Sequence, residues 1–174
     1  MKRFERKLPI VYLKPAEMRF TDHPTLVVTV LGSCLSVTMY NRRKKLGGIC
    51  HGLLPRCPDQ TNCVKGCGKA FKYVDCSIRH MAKLFDQRNV KRSEIEVKCF
   101  GAADMFSGKN ESCGIESVGK QNVKTAEEFI LSEGLSILRM DVGGLQGRKI
   151  LFYTDTGEVL LKRLPNVNNS ETLW

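Results

Sequence analysis

The stretch Leu26-Val27-Val28-Thr29-Val30-Leu31-Gly32-Ser33-Cys34 decides how the rest of the chain is read. Six apolar or β-branched residues make a strand, the run stops at Gly32-Ser33, and a cysteine follows. Beyond it, Leu35, Val37 and Met39 alternate with Ser36, Thr38 and Tyr40, the period of a second strand. Asn41 to Lys45 is a polar turn, and the run Leu46 to Leu54 returns as a third strand that carries His51, seventeen residues after Cys34. An antiparallel hairpin of this kind puts the cysteine at the start of one arm and the histidine on the other. Thiol and imidazole then meet at one end of a sheet without help from distant sequence.

Upstream, residues 8–20 read as extended, with a turn near Pro15-Ala16-Glu17. Downstream, residues 55–72 are a long polar loop, longer than an idle connection is expected to be. Val74, Ile78, Met81, Ala82 and Phe85 recur at helical spacing and predict a helix from Tyr73 to Gln87. Glu94 to Phe100 reads as a strand with Ile95, Val97 and Cys99 on one face. After a polar connection over 104–118, Val123, Ala126 and Ile130 mark a second helix from Asn122 to Ser132, stopped by Gly134. Three strands close the chain: Leu135 to Val142, Arg148 to Tyr153 and Val159 to Leu164, joined at Gly143-Gly144 and Asp155-Thr156-Gly157. These joints are too tight for parallel crossovers between them. The expectation is an α/β sandwich with mixed or antiparallel sheets and two main helices. It forms one domain over 1–174, with mobile tails at 1–8 and 166–174.

The formal charge is +10 over 174 residues, concentrated at Met1 to Lys7 and Arg42-Arg43-Lys44-Lys45. That balance favours acidic partners, but no aromatic residues interleave with the basic clusters and no nucleic-acid motif accompanies them. No run reaches the roughly 18 apolar residues that cross a bilayer. The basic N-terminus is followed by no apolar segment, so a cytoplasmic protein is expected.

Eight cysteines occur, at Cys34, Cys50, Cys57, Cys63, Cys67, Cys76, Cys99 and Cys113. In the cytoplasm they are read as reduced thiols. Cys57, Cys63, Cys67 and Cys76 follow C-x5-C-x3-C-x8-C, looser than paired zinc spacings. A structural metal, a redox-sensitive lid and a set of unligated thiols all remain open for the loop, and no metal is expected.

A cysteine beside a strand is often a packing residue, and a histidine on a strand is often a satisfied core residue. The functional reading is that the imidazole of His51 takes the Cys34 proton and leaves a thiolate. Gly32 permits a tight turn, the amides near Ser33 and Cys34 face an oxyanion, and Thr29 or Ser33 orients the histidine. His23, in a loop before Pro24, and His80, on the outer face of the first helix, compete less well.

Leu31-Gly32-Ser33-Cys34 with its alternating strand, followed by Gly48-Ile49-Cys50-His51-Gly52-Leu53-Leu54-Pro55, resembles the chemoreceptor glutamine deamidases of the CheD family. The resemblance continues in Lys72-Tyr73-Val74-Asp75, Phe100-Gly101-Ala102-Ala103-Asp104-Met105, Val118-Gly119-Lys120-Gln121-Asn122, Asp141-Val142-Gly143-Gly144 and Gly147-Arg148-Lys149, in order over about residues 25–164. It implies a sandwich fold similar to the catalytic domain of cytotoxic necrotizing factor toxins. It also implies a nucleophile at Cys34, a base at His51, and a third residue in the preceding strand, carried over to Thr29 with Ser33 as the alternative. No cofactor is implied. The implied substrate is a glutamine of a chemoreceptor cytoplasmic domain, and the implied partner is a CheC-type phosphatase that occupies the active-site face. Three other readings stand beside the deamidase: a regulator of such a phosphatase with catalysis secondary, an unrelated thiol hydrolase, and a nucleic-acid module resting on charge alone.

Overall fold

A computed structural model describes residues 7–59, 70–105 and 114–165. Nine strands and two helices occur among them: β1 (Ile10–Tyr12), β2 (Met18–Thr21), β3 (Leu26–Leu31), β4 (Leu35–Asn41), β5 (Leu46–Gly52), α1 (Val74–Gln87), β6 (Glu96–Gly101), α2 (Val118–Ser132), β7 (Ile137–Val142), β8 (Arg148–Tyr153) and β9 (Val159–Arg163). They make two mixed sheets, one of four strands in the order β1-β3-β8-β9 and one of five in the order β2-β5-β4-β6-β7. The architecture is the expected α/β sandwich.

The two sheets face each other, and both helices cover the far side of the five-stranded sheet. Val27, Leu31, Ile49, Phe100, Ile150 and Phe152 fill the layer between the sheets. Val37, Met39, Cys50, Val97 and Cys99 project the other way, onto Val74, Ile78, Met81 and Phe85 of α1 and Ala126 and Ile130 of α2. Each such side chain contributes about 1.5–3 kcal/mol on leaving water, so the two clusters supply the bulk of the favourable term. Strands β4 and β5 are covered on both faces, and every residue in them is buried. The four-stranded sheet has no helix on its outer face among the described residues, and Ile10, Tyr12, Val30 and Leu160 are exposed there.

Local signals explain the helix limits. The Ser117 side chain accepts from the Lys120 amide at the start of α2, satisfying one of the orphan donors of a first turn. Gly134, at φ 71°, follows the helix end in the left-handed conformation that glycine favours. In α1 the buried Asp75 carboxylate accepts from the amides of Cys57 and Cys76, tying the start of the long loop to the positive end of the helix.

The last three strands, with no parallel crossover between them, divide between the two sheets. β7 pairs parallel to β6 in the five-stranded sheet, reached through α2 as a β-α-β crossover. β8 and β9 pair antiparallel in the other sheet, next to β3. The Gly143-Gly144 turn therefore carries the chain from one sheet to the other. The second helix also begins four residues before the expected Asn122. The tails at 1–6 and 166–174, and Cys63, Cys67 and Cys113, lie outside the described residues.

Candidate active site

Strand register brings His51 to its place. Ser36 of β4 lies opposite His51 of β5, and His51 continues toward β2, donating from its backbone amide to Glu17 O while its carbonyl accepts from the Ala16 amide, both at 2.9 Å. Side chains alternate faces along a strand. Ile49 points into the layer between the sheets, so His51, two residues on, does the same. On the facing sheet Val27 and Leu31 point into that layer, and Thr29 between them does too. The Thr29 hydroxyl lies 2.8 Å from His51 Nδ1 and 2.8 Å from the carbonyl oxygen of Leu13. Val28 takes the opposite face of β3, so the strand period separates it from the imidazole.

This pair of contacts assigns the imidazole tautomer. A hydroxyl has one proton to give. The Leu13 carbonyl can only accept, so Thr29 donates to it and accepts from Nδ1–H. The proton of neutral His51 is thus on Nδ1, and Nε2 keeps its lone pair. That Nε2 is buried and has no hydrogen-bond partner among the described residues. It is an acceptor held ready inside the sandwich.

Cys34 immediately precedes β4 and packs against the inter-sheet cluster. It lies two residues before Ser36, so extending the register makes it a diagonal cross-strand neighbour of His51 on the same face, with Cβ atoms roughly 7 Å apart. Among the described cysteines Cys34 is the half-buried one, and Cys50, Cys57, Cys76 and Cys99 are all buried. Burial pushes the Cys50 thiol up to about 11. Burial also raises Cys34 above the ordinary thiol value, opposed by its own backbone amide. His51 is lowered by burial, opposed by the charge of Glu17. Both shifts favour a neutral thiol beside a neutral imidazole over an ion pair.

The turn bearing Cys34 is held by one bond that continues the β4–β6 register and two that lie outside any ladder. Three successive carbonyls are engaged: Gly32 O accepts from the Ala103 amide at 2.8 Å, Cys34 O from the Ala102 amide at 2.7 Å, and Ser33 O from Asn122 Nδ2 at 3.1 Å. Gly101 lies at φ 104°, and a Cβ there would meet Cys34 O at 2.4 Å. Glycine is required on both counts. The 101–104 segment is held in turn by the β7–β8 turn, where Gly143 N donates to Gly101 O and Asp104 N to Gly144 O. The nearly inaccessible Arg148 fixes that turn through Asp141 at 2.8 Å and the carbonyl of Gly143. Ser33, the alternative orienting residue, is half-buried, and its carbonyl goes to α2.

Sequence reasoning missed Asn122, Gly101 and Arg148 as parts of this site. A signal existed for the first: Asn122 shares a four-residue spacing with Ala126 and Ile130, placing a polar side chain on the buried stripe of α2. His23 and His80 are both exposed. His23 lies beside Asp22, and His80 packs edge-on to Phe71. The basic turn Arg42 to Lys45 is at the opposite end of β4 and β5, about 20 Å along the strands from Cys34. Two of its arginines pair with Glu94 and Glu96. Among the described residues no group of three or more histidine, cysteine or acidic side chains is arranged to hold a metal ion. No helix among them is long and apolar enough to cross a membrane.

The family model described as CheD chemotactic sensory transduction matches residues 53–163. A protein of Geobacter sulfurreducens named probable chemoreceptor glutamine deamidase CheD 2 is 46% identical over 158 residues, covering 91% of this chain and 92% of that protein. A protein of Oleidesulfovibrio alaskensis named probable chemoreceptor glutamine deamidase CheD is 41% identical, over 93% of this chain and 76% of its own. An archaeal protein of that name from Thermococcus kodakarensis is 34% identical, over 78% and 81%. With a match of this length and these relatives, the chain belongs to the CheD family.

Proposed function

We propose that this protein is a cytoplasmic chemoreceptor glutamine deamidase in which Cys34 is the nucleophile, His51 the general base and acid, and Thr29 the residue that orients His51. The observation that carries the reading is the Thr29–His51 hydrogen bond. It presents a bare imidazole nitrogen on the sheet face that Cys34 shares.

The chemistry follows from the neutral pair. As Cys34 sulfur attacks the glutamine carboxamide carbon, its proton passes to His51 Nε2. The imidazolium is stabilised by Thr29 at Nδ1. The oxygen of the tetrahedral intermediate takes its hydrogen bonds from amides at the Ser33–Cys34 turn. His51 then returns the proton to the departing nitrogen, ammonia leaves, and a thioester remains. Water gives a proton to the same Nε2 and attacks the thioester carbon. The sulfur leaves and recovers its proton from His51. The sum is glutamine plus water to glutamate plus ammonia, with no cofactor. A CheC-type phosphatase is the binding partner that the family resemblance supplies, and the end of the sandwich that carries Cys34 is where it is expected to sit.

Incubation with a chemoreceptor cytoplasmic fragment, followed by peptide mass spectrometry, tests the reading. Gln-to-Glu conversion by the wild type and none by Cys34→Ala is the expected result. Conversion that persists in Cys34→Ala removes the nucleophile. Cleaved or cross-linked peptides favour an unrelated thiol hydrolase.

A further inference from the structure

Asn122 is fully buried on α2 and bonds two carbonyls from the two arms of the hairpin. Its Nδ2 donates to Ser33 O and to Leu53 O, both at 3.1 Å. Two carbonyl partners can only accept, so the amide nitrogen must face them, and the orientation of the group is set by chemistry. Both Nδ2 protons are used, and Oδ1 is buried with no partner among the described residues. Leaving a buried polar atom unpaired is costly, and a position that only packed helix against sheet is better filled by an apolar side chain.

The geometry of one of these bonds bears on the chemistry. In a trans peptide the carbonyl of one residue and the amide of the next are in one plane and point in opposite directions. Asn122 fixes Ser33 C=O, and so fixes where Cys34 N–H points. The Ala103 bond to Gly32 O does the same for Ser33 N–H. Neither the Ser33 nor the Cys34 amide donates to a carbonyl among the described residues. These are the two amides assigned to the oxyanion. The second bond, to Leu53 O, anchors the same side chain to the chain two residues past His51.

We propose that Asn122 is a positioning residue for the deamidation step: gripping Ser33 O, with Leu53 O as its second anchor, it aims the Cys34 amide at the oxyanion. The proposal rests on the thiol reading above. It assigns Asn122 no contact with the substrate.

The test uses the full chain and a receptor cytoplasmic fragment. Asn122→Leu keeps the volume and removes the donor. Its kcat is expected to fall about thirtyfold or more, approaching the loss seen when an oxyanion donor is removed. KM is expected to stay within a factor of a few, and so is the rate of Cys34 alkylation by iodoacetamide, since the thiol and the Thr29–His51 pair are untouched. A kcat within threefold of wild type overturns the proposal. So does a parallel fall of kcat and alkylation, which would mean that Asn122 acts through the thiol. If Asn122→Leu does not fold, Asn122→Asp decides. Its carboxyl can donate to Ser33 O only when protonated, so its activity relative to wild type should recover as pH falls, and a flat ratio overturns the proposal. Cys34→Ala is run alongside: activity there defeats the thiol reading itself, whereas a dead Cys34→Ala with a normal Asn122→Leu defeats only the role of Asn122.

Discussion

His51 and the turn that carries Cys34 lie at the same end of the sandwich but are held there by different kinds of structure. His51 is inside a sheet, paired with β4 on one side and extending the β2 pairing on the other, with Thr29 reaching it from the facing sheet. Its position is a consequence of register, and register is enforced wherever a strand face is buried. The Cys34 turn lies where the β4 ladders end, with Cys34 O continuing the β4–β6 register by one bond. It rests on single bonds from Ala102, Ala103 and Asn122, and behind them on a glycine turn fixed by Arg148. The proposed base is thus set cooperatively by the fold, and the proposed nucleophile largely by separable point contacts. Substitutions on the histidine side should change the chemistry while leaving the fold intact. Substitutions on the cysteine side should change geometry first.

The largest expected effect is at His51. His51→Gln removes the proton carrier, and kcat for Gln-to-Glu conversion should fall on the order of 10³-fold or more while near-ultraviolet circular dichroism stays native. Gly101→Val attacks the other side. It places a Cβ against Cys34 O at a positive φ, and should cost about 1–3 kcal/mol of stability in urea denaturation together with most of the activity. A variant of native stability and activity would show that the turn does not depend on this contact.

Thr29→Val keeps the shape but leaves Nδ1–H and the Leu13 carbonyl without their partner. Each such loss is worth about 1–3 kcal/mol, so kcat/KM should fall roughly ten- to hundredfold, with Thr29→Ser close to wild type. pH gives a smaller signature. His51 acts as a base only when neutral, and burial lowers its pKa. The acid limb of kcat/KM should therefore fall below the ordinary imidazole value of 6.5, with no thiolate absorbance at neutral pH because Cys34 is raised. An acid limb above that value would contradict the neutral pair. The smallest effect is expected at Val30, one residue from Thr29 but exposed on the outer face. Val30→Thr should leave activity within twofold and stability within about 0.5 kcal/mol.

The same division explains what could be read in advance. β3 has the limits its β-branched run indicates, and the β4–β5 hairpin follows from alternation around a polar turn. Because these features are local, the cysteine and the histidine could be named from their own neighbourhoods, with Thr29 and Ser33 left as the two candidates for the third residue. The jump of the chain between sheets at Gly143-Gly144 was not legible, since a two-glycine turn looks the same whether it closes a hairpin or changes layers. Only the pairing of β7 with β6 distinguishes them, and that partner is brought close by α2. Asn122, Gly101 and Arg148 lie in stretches that carry the family resemblance, and Asn122 stands on the buried stripe of α2, but their contacts with the Cys34 turn, direct or through intervening segments, span long sequence separations, so the sequence did not show which segment they hold.

The proposed chemistry turns most directly on the state of His51. Long-range proton–nitrogen correlation spectra of histidine-labelled protein at neutral pH, with Thr29→Val as the control, report which ring nitrogen carries the proton. The structure predicts a neutral His51 protonated on Nδ1, with Nε2 bare, and a loss of that preference in the control. A His51 protonated on Nε2, or an imidazolium at neutral pH, would contradict it.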